Sequence, residues 1–126
     1  MGIGLKLIRI ALLYMVAGLV MGLFMAMSHD WNLISVHSHL LLLGWVTMAI
    51  SGIVYIIEPR CANRKMATLH FWGHNIGLPV MMAGLAFVQY GHTAVEPVVA
   101  VGSIIVLASL VVFALNVYSA RGASPA

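Results

Sequence analysis

Charged side chains are nearly missing from this sequence: 7% of its 126 residues are Asp, Glu, Lys or Arg, where a soluble domain carries roughly 25%. That scarcity excludes an ordinary water-soluble fold, and 63% hydrophobic residues with a mean hydropathy of +1.07 point to lipid as the solvent. Cysteine occurs once, at Cys61, so an internal disulfide and a Cys-based zinc cage are both excluded and the residue reads as a spectator thiol. The only carboxylates are Asp30, Glu58 and Glu96, all at the ends of apolar runs, and no Lys or Arg falls in mid-run. The line of ionisable groups that proton pumps use is therefore not expected. The basic residues do not cluster on one exposed face, which excludes a nucleic-acid partner. Glycine-rich phosphate loops, nucleophile-base pairs and paired carboxylates are lacking as well, so no side chain is assigned a catalytic role and any catalysis falls to a cofactor.

What is present is apolar length. Four runs, about Leu5 to Met27, Leu33 to Ile57, Met66 to Tyr90 and Val95 to Tyr118, each exceed the roughly 20 residues needed to cross a hydrocarbon core. In lipid only helices and closed barrels satisfy their own backbone, and unbroken runs of this length mean helices. The expected fold is all-α: one integral membrane four-helix bundle spanning residues 1–126, with short polar connections. The first run could be a cleaved signal peptide, but it exceeds the usual 7 to 15 apolar residues of such a segment and is read as a retained span.

Basic residues set the orientation. Lys6 and Arg9 flank the first run, Arg60, Arg64 and Lys65 fill the second loop and Arg121 follows the fourth run, while the first and third loops have no Lys or Arg. By the positive-inside rule both termini face the cytoplasm of a multi-pass protein in a bacterial inner membrane.

Histidine carries the chemistry. His37 and His39 stand near the outer start of the second run, in Ser35-Val36-His37-Ser38-His39-Leu40-Leu41-Leu42-Leu43-Gly44-Trp45, and an intramembrane histidine is costly without a partner. A neutral imidazole is also a common ligand, so a metal or haem iron is the expected partner. Residues i and i+2 project about 200° apart on a helix, so His37 and His39 serve different neighbours. His92 in the second outer loop shares their layer. His70 and His74 enter from the inner side as i and i+4, on one face, which permits joint metal coordination or a shared hydrogen-bond network. Counting 1.5 Å per residue from the helix ends separates the two groups by about 15 Å, too far for one metal. The metal candidates are thus His37, His39 and His92 outside and His70 and His74 inside.

These residues carry a family resemblance. The stretch from His39 through Gly52-Ile53-Val54-Tyr55 to Pro59, then Leu69-His70-Phe71-Trp72, resembles the catalytic subunit of haem-copper oxidases, nearest to the cbb3-type enzymes. It is also similar to the nitric oxide reductase catalytic subunit, where a pattern like His37-Ser38-His39-Leu40-Leu41 opens a helix and a Tyr precedes a Pro at its inner end. In that family a His-x-His pair splits between two haems, and the spacing of His37 and His39 is similar. The resemblance implies haem b on His37 and His39, with electron transfer or redox sensing as the task and a respiratory donor or acceptor as partner. The family's subunit has about twelve helices in three arcs, and a homotrimer of this chain would rebuild that arrangement. The family's copper takes three histidines, whereas the outer end of the third run offers His92 alone.

Gly18-x-x-x-Gly22 and Gly73-x-x-x-Gly77 let helices approach closely, either between protomers or within one. A cleft between protomers, taking His37 from one and His39 from the next, offers room for a macrocycle that one four-helix arc lacks. Two other readings compete. Met21-x-x-x-Met25-x-Met27 resembles the thioether pair of trimeric copper transporters, since soft ligands select copper(I). A non-redox accessory subunit of a respiratory complex is the third.

Overall fold

The computed structural model describes residues 1–120; Arg121 lies outside the described residues. No strand occurs among them, and four helices are long and apolar enough to cross a membrane. Helix α1 is Ile3–Ser28 and α2 is Ile34–Ile57. One helical turn, Pro59–Ala62, leads to α3, Lys65–Gln89, and a 3₁₀ turn, Thr93–Val95, leads to α4, Glu96–Ala120. The expected spans therefore hold to within about two residues at each end, the usual uncertainty of helix termini.

The breaks have local causes. His29 takes the left-handed conformation (φ 57°) and its N–H caps Met25 O at 2.9 Å, closing α1. Asp30 Oδ1 then accepts from Asn32 N–H, turning the chain into α2. Pro59 begins the helical turn at a position whose N–H has no helical acceptor to lose.

Helix α2 is not uniform. Ile34–His39 and Thr47–Ile57 are α-helical, but Leu40–Val46 between them is a π-helix. Thr47 N–H reaches back five residues to Leu42 O instead of four to Leu43 O. The carbonyl of Leu43 is thereby released from its α-helical partner.

The helices pack as two antiparallel hairpins, α1 with α2 and α3 with α4, and touch more sparsely between hairpins. A Cβ on Gly18 would stand 2.6 Å from Leu41 Cδ2, and one on Gly73 would stand 2.7 Å from Ser109 Cβ. Gly22 and Gly77 likewise face His37 and Ile105. Both glycine motifs are thus used inside one protomer, so neither is independent evidence for association.

Within their apolar windows α2 and α3 bury 39% and 33% of their residues, against 17% for the first and fourth spans. The central pair is also where polarity collects. Helix α3 is the least apolar of the four and contains His70, His74 and Asn75. Large apolar side chains such as Leu13, Ile57 and Leu107 are exposed, as lipid-facing surfaces require.

Among the described residues the basic side chains gather at one end. The close approach of Gly4 and Gly52 sets the start of α1 beside the end of α2. There Arg64 Nη1 donates to Asn116 O and Oδ1, both at 3.2 Å, and to Ser119 Oγ at 2.6 Å. This basic end therefore includes the last turns of α4. At the far end, Tyr90 O–H donates to Asp30 Oδ2 at 3.1 Å and joins the two remaining connections.

Candidate functional site

His37 and His39 sit on the α-helical first turns of α2, above the π segment, and their rings diverge as the helical spacing requires. His37 turns toward α1, where Nδ1–H donates to Gly18 O at 2.8 Å. Gly22 makes that placement feasible, because a Cβ there would stand 2.7 Å from His37 Cε1. His39 instead folds back on its own helix, with Nδ1–H donating to Ser35 O at 2.7 Å. Both rings are half-buried, and both have the same consequence. With Nδ1 committed as a donor to a carbonyl, the neutral ring keeps its lone pair on Nε2. Metal-ligating histidines are typically held in this way, the far nitrogen tied to a carbonyl that fixes tautomer and orientation.

His70 and His74 are arranged differently. Both are fully buried at the α2–α3 seam. Tyr55 O–H donates to His70 Nδ1 at 2.8 Å, His70 Nε2 and His74 Nδ1 are bonded at 3.2 Å, and His74 Nε2–H donates to Leu43 O at 2.9 Å. All four ring nitrogens are engaged, so no lone pair is left for a metal. Of the two readings that the i, i+4 spacing allows, the hydrogen-bond network is the one formed. Phe113 of α4 closes the site, 4.9 Å from the His70 ring and 5.5 Å from that of Tyr55.

The depth expected for this pair needs correction. The His74 ring reaches Leu43, one turn below His39, rather than lying about 15 Å beneath the outer histidines. Counting from helix ends places Cα atoms, whereas this contact is made by the far nitrogen of the ring, which reaches well beyond its Cα.

His92 is exposed in the connection before α4, its ring edge-on to Phe87 at 5.8 Å, and with Ala86 and Tyr90 it lines a cavity of about 250 Å³. It does not join the outer pair: among the described residues no group of three or more His, Cys, Asp or Glu side chains is placed to hold a metal. The thioether stripe disperses too. Met25 is 2% exposed in the core while Met27 is 74% exposed, so the two do not converge on one ion.

Tyr55 and the Leu43 carbonyl are the functional groups that sequence reasoning did not assign. A signal existed for the first, since a tyrosine hydroxyl inside an apolar run needs a buried partner. None existed for the second, because nothing in four consecutive leucines marks a π turn. In comparisons with known proteins, no family model, no curated protein and no solved structure matches this chain.

Proposed function

We propose that this chain is a membrane haem-binding protein in which His37 and His39 would hold a b-type haem, for electron transfer or redox sensing. The observation that carries the reading is the pair of tethers, Gly18 O on His37 Nδ1–H and Ser35 O on His39 Nδ1–H, which leave two Nε2 lone pairs presented near one end of the bundle. An imidazole fixed in this form meets iron without reorganisation. Bound there, haem would supply one-electron exchange between ferric and ferrous iron. The residues of the chain would orient the two imidazoles and, with the surrounding apolar helices, exclude water, and a pair of histidine ligands would favour electron transfer over gas chemistry.

Because the two rings diverge, one haem takes its ligands from two protomers, and a homotrimer would hold three equivalent sites. The basic end faces the cytoplasm in this reading, on the positive-inside rule, and the membrane is the inner membrane of a bacterium. The resemblance to the haem-copper oxidase catalytic subunit agrees with both the ligand type and the threefold arrangement.

The test is spectroscopic. Protein purified from haem-replete membranes should show a Soret band and a six-coordinate low-spin spectrum, with up to three haems per trimer by native mass spectrometry in mild detergent. His37→Ala and His39→Ala should each lose haem or the low-spin signal, His29→Ala should not, and mixing the two defective chains should restore some sites. An absent Soret band, or an unchanged spectrum in both variants, would overturn the assignment and favour a non-redox accessory role.

A further inference from the structure

A backbone carbonyl can only accept, so Leu43 O fixes the direction of every bond in the α2–α3 seam. His74 Nε2–H donates to it, which makes Nδ1 of the neutral ring the acceptor for His70 Nε2–H. His70 Nδ1 then accepts from Tyr55 O–H. Each of these three side chains holds a proton on one atom and has a lone pair on an atom facing its neighbour or the basic end. We infer that the seam is a one-proton relay, carrying a proton from the basic end of the bundle through Tyr55 and His70 to His74.

The bookkeeping closes. The Tyr55 oxygen takes a proton from a hydronium ion arriving from the basic end, which leaves as water, and gives its own to His70 Nδ1; His70 gives its Nε2 proton to His74 Nδ1. One proton has entered, two have moved on by one atom, and one positive charge rests on His74. The imidazolium keeps Nε2–H on Leu43 O and donates Nδ1–H to His70 Nε2, while His70 Nδ1–H donates to the Tyr55 oxygen. Every bond of the seam survives with the inner two reversed. A charge in such a place is costly unless a fixed dipole meets it, and Leu43 O, released by the π turn, is aimed at the nitrogen that would bear it.

Toward the basic end the seam meets Asn116 and Arg64. Asn116 is fully buried next to the Tyr55 hydroxyl, donates Nδ2–H to Cys61 O at 3.0 Å and accepts from Arg64, which reaches the half-exposed basic end. The titratable or charged groups around the seam are therefore Tyr55 on α2, Cys61 in the turn and Arg64 before α3. Helix α4 contributes Phe113 and Asn116, which do not titrate, and the tyrosine of α1 packed into the core is Tyr14, against Gly44. Leu43 O cannot pass a proton on, so the relay opens to one side only and makes no leak.

Nitrogen NMR on histidine-labelled full-length protein in nanodiscs tests this without any cofactor. In the neutral protein His70 and His74 should both have their proton on Nε2, and in the charged form populated on acidification His70 should hold its proton on Nδ1 while His74 holds one on each nitrogen. Tyr55→Phe keeps the ring against Phe113 and should slow the interconversion of the two forms by about a hundredfold, the low end of what a positioned proton-transfer group contributes. Tyr14→Phe, which removes a hydroxyl elsewhere in the core, should leave it unchanged. Unaltered interconversion in Tyr55→Phe would overturn the relay. So would a neutral His70 with its proton on Nδ1, an outcome read from the wild-type protein alone.

Discussion

His74 Nε2–H donates to Leu43 O at 2.9 Å because Thr47, the α-helical partner of that carbonyl, bonds to Leu42 instead. A local departure from α-helix and a contact between helices are thus two halves of one arrangement.

His74→Ala leaves Leu43 O and His70 Nε2–H unpaired in a buried site, and should cost about 2 kcal/mol of stability, within the range for stranded polar groups. Ser103→Ala, which removes a hydroxyl bonded only to Val99 O of its own helix, should cost about 0.5 kcal/mol. Equilibrium unfolding in mixed micelles followed by circular dichroism measures both, and equal costs would mean that the seam contributes nothing particular.

Gly22→Ala places a methyl 2.7 Å from His37 Cε1 and displaces the ring from Gly18 O. Haem occupancy should fall or the low-spin spectrum change while helicity stays at its wild-type value. A normal spectrum in this variant would show that His37 as oriented here is not a ligand.

The ion pair outside the spans makes a pH prediction. The hydrogen bond from Arg60, 2.7 Å from Glu58 Oε1, holds the Glu58 carboxyl below its ordinary 4.5, and the pair is solvent-exposed. A carboxyl lowered in the folded state contributes stability that is present above its unfolded pKa and is lost as pH falls through the folded one. Wild-type and Glu58→Gln melting temperatures should therefore differ slightly at neutral pH and converge below 4.5. A gap that persists in acid would mean that the glutamate acts by something other than its charge.

If the relay and the haem coexist, reduction draws a proton into the seam and the midpoint potential should fall as pH rises. The limit is about 59 mV per pH unit for one proton per electron. Redox titration of Tyr55→Phe should give a flatter slope with the same spectrum. Equal slopes would separate the two sites energetically while leaving each to its own test.

The spans were legible in the sequence because length and apolarity alone decide them in lipid, and so were the divergence of His37 from His39 and the shared face of His70 and His74, which follow from helical repeat. The glycine motifs were legible as close contacts but not as to partner: that depends on which face meets α2 or α4, and Leu41 and Ser109 settle it in favour of the protomer. The π turn and the contact of His74 with Leu43 O were not legible. They arise where a hydrogen bond between helices competes with one inside a helix, and a single strand of sequence records only the second.

The bonds buried among the spans also have an order. His37 finds Gly18, His70 finds Tyr55, His74 finds Leu43 and Asn116 finds Cys61, in every case a partner nearer the N-terminus. During synthesis each of these polar groups enters the bilayer after its partner is already there. The chain can be threaded helix by helix, and of the side chains in these bonds only the Tyr55 hydroxyl waits for a segment still on the ribosome.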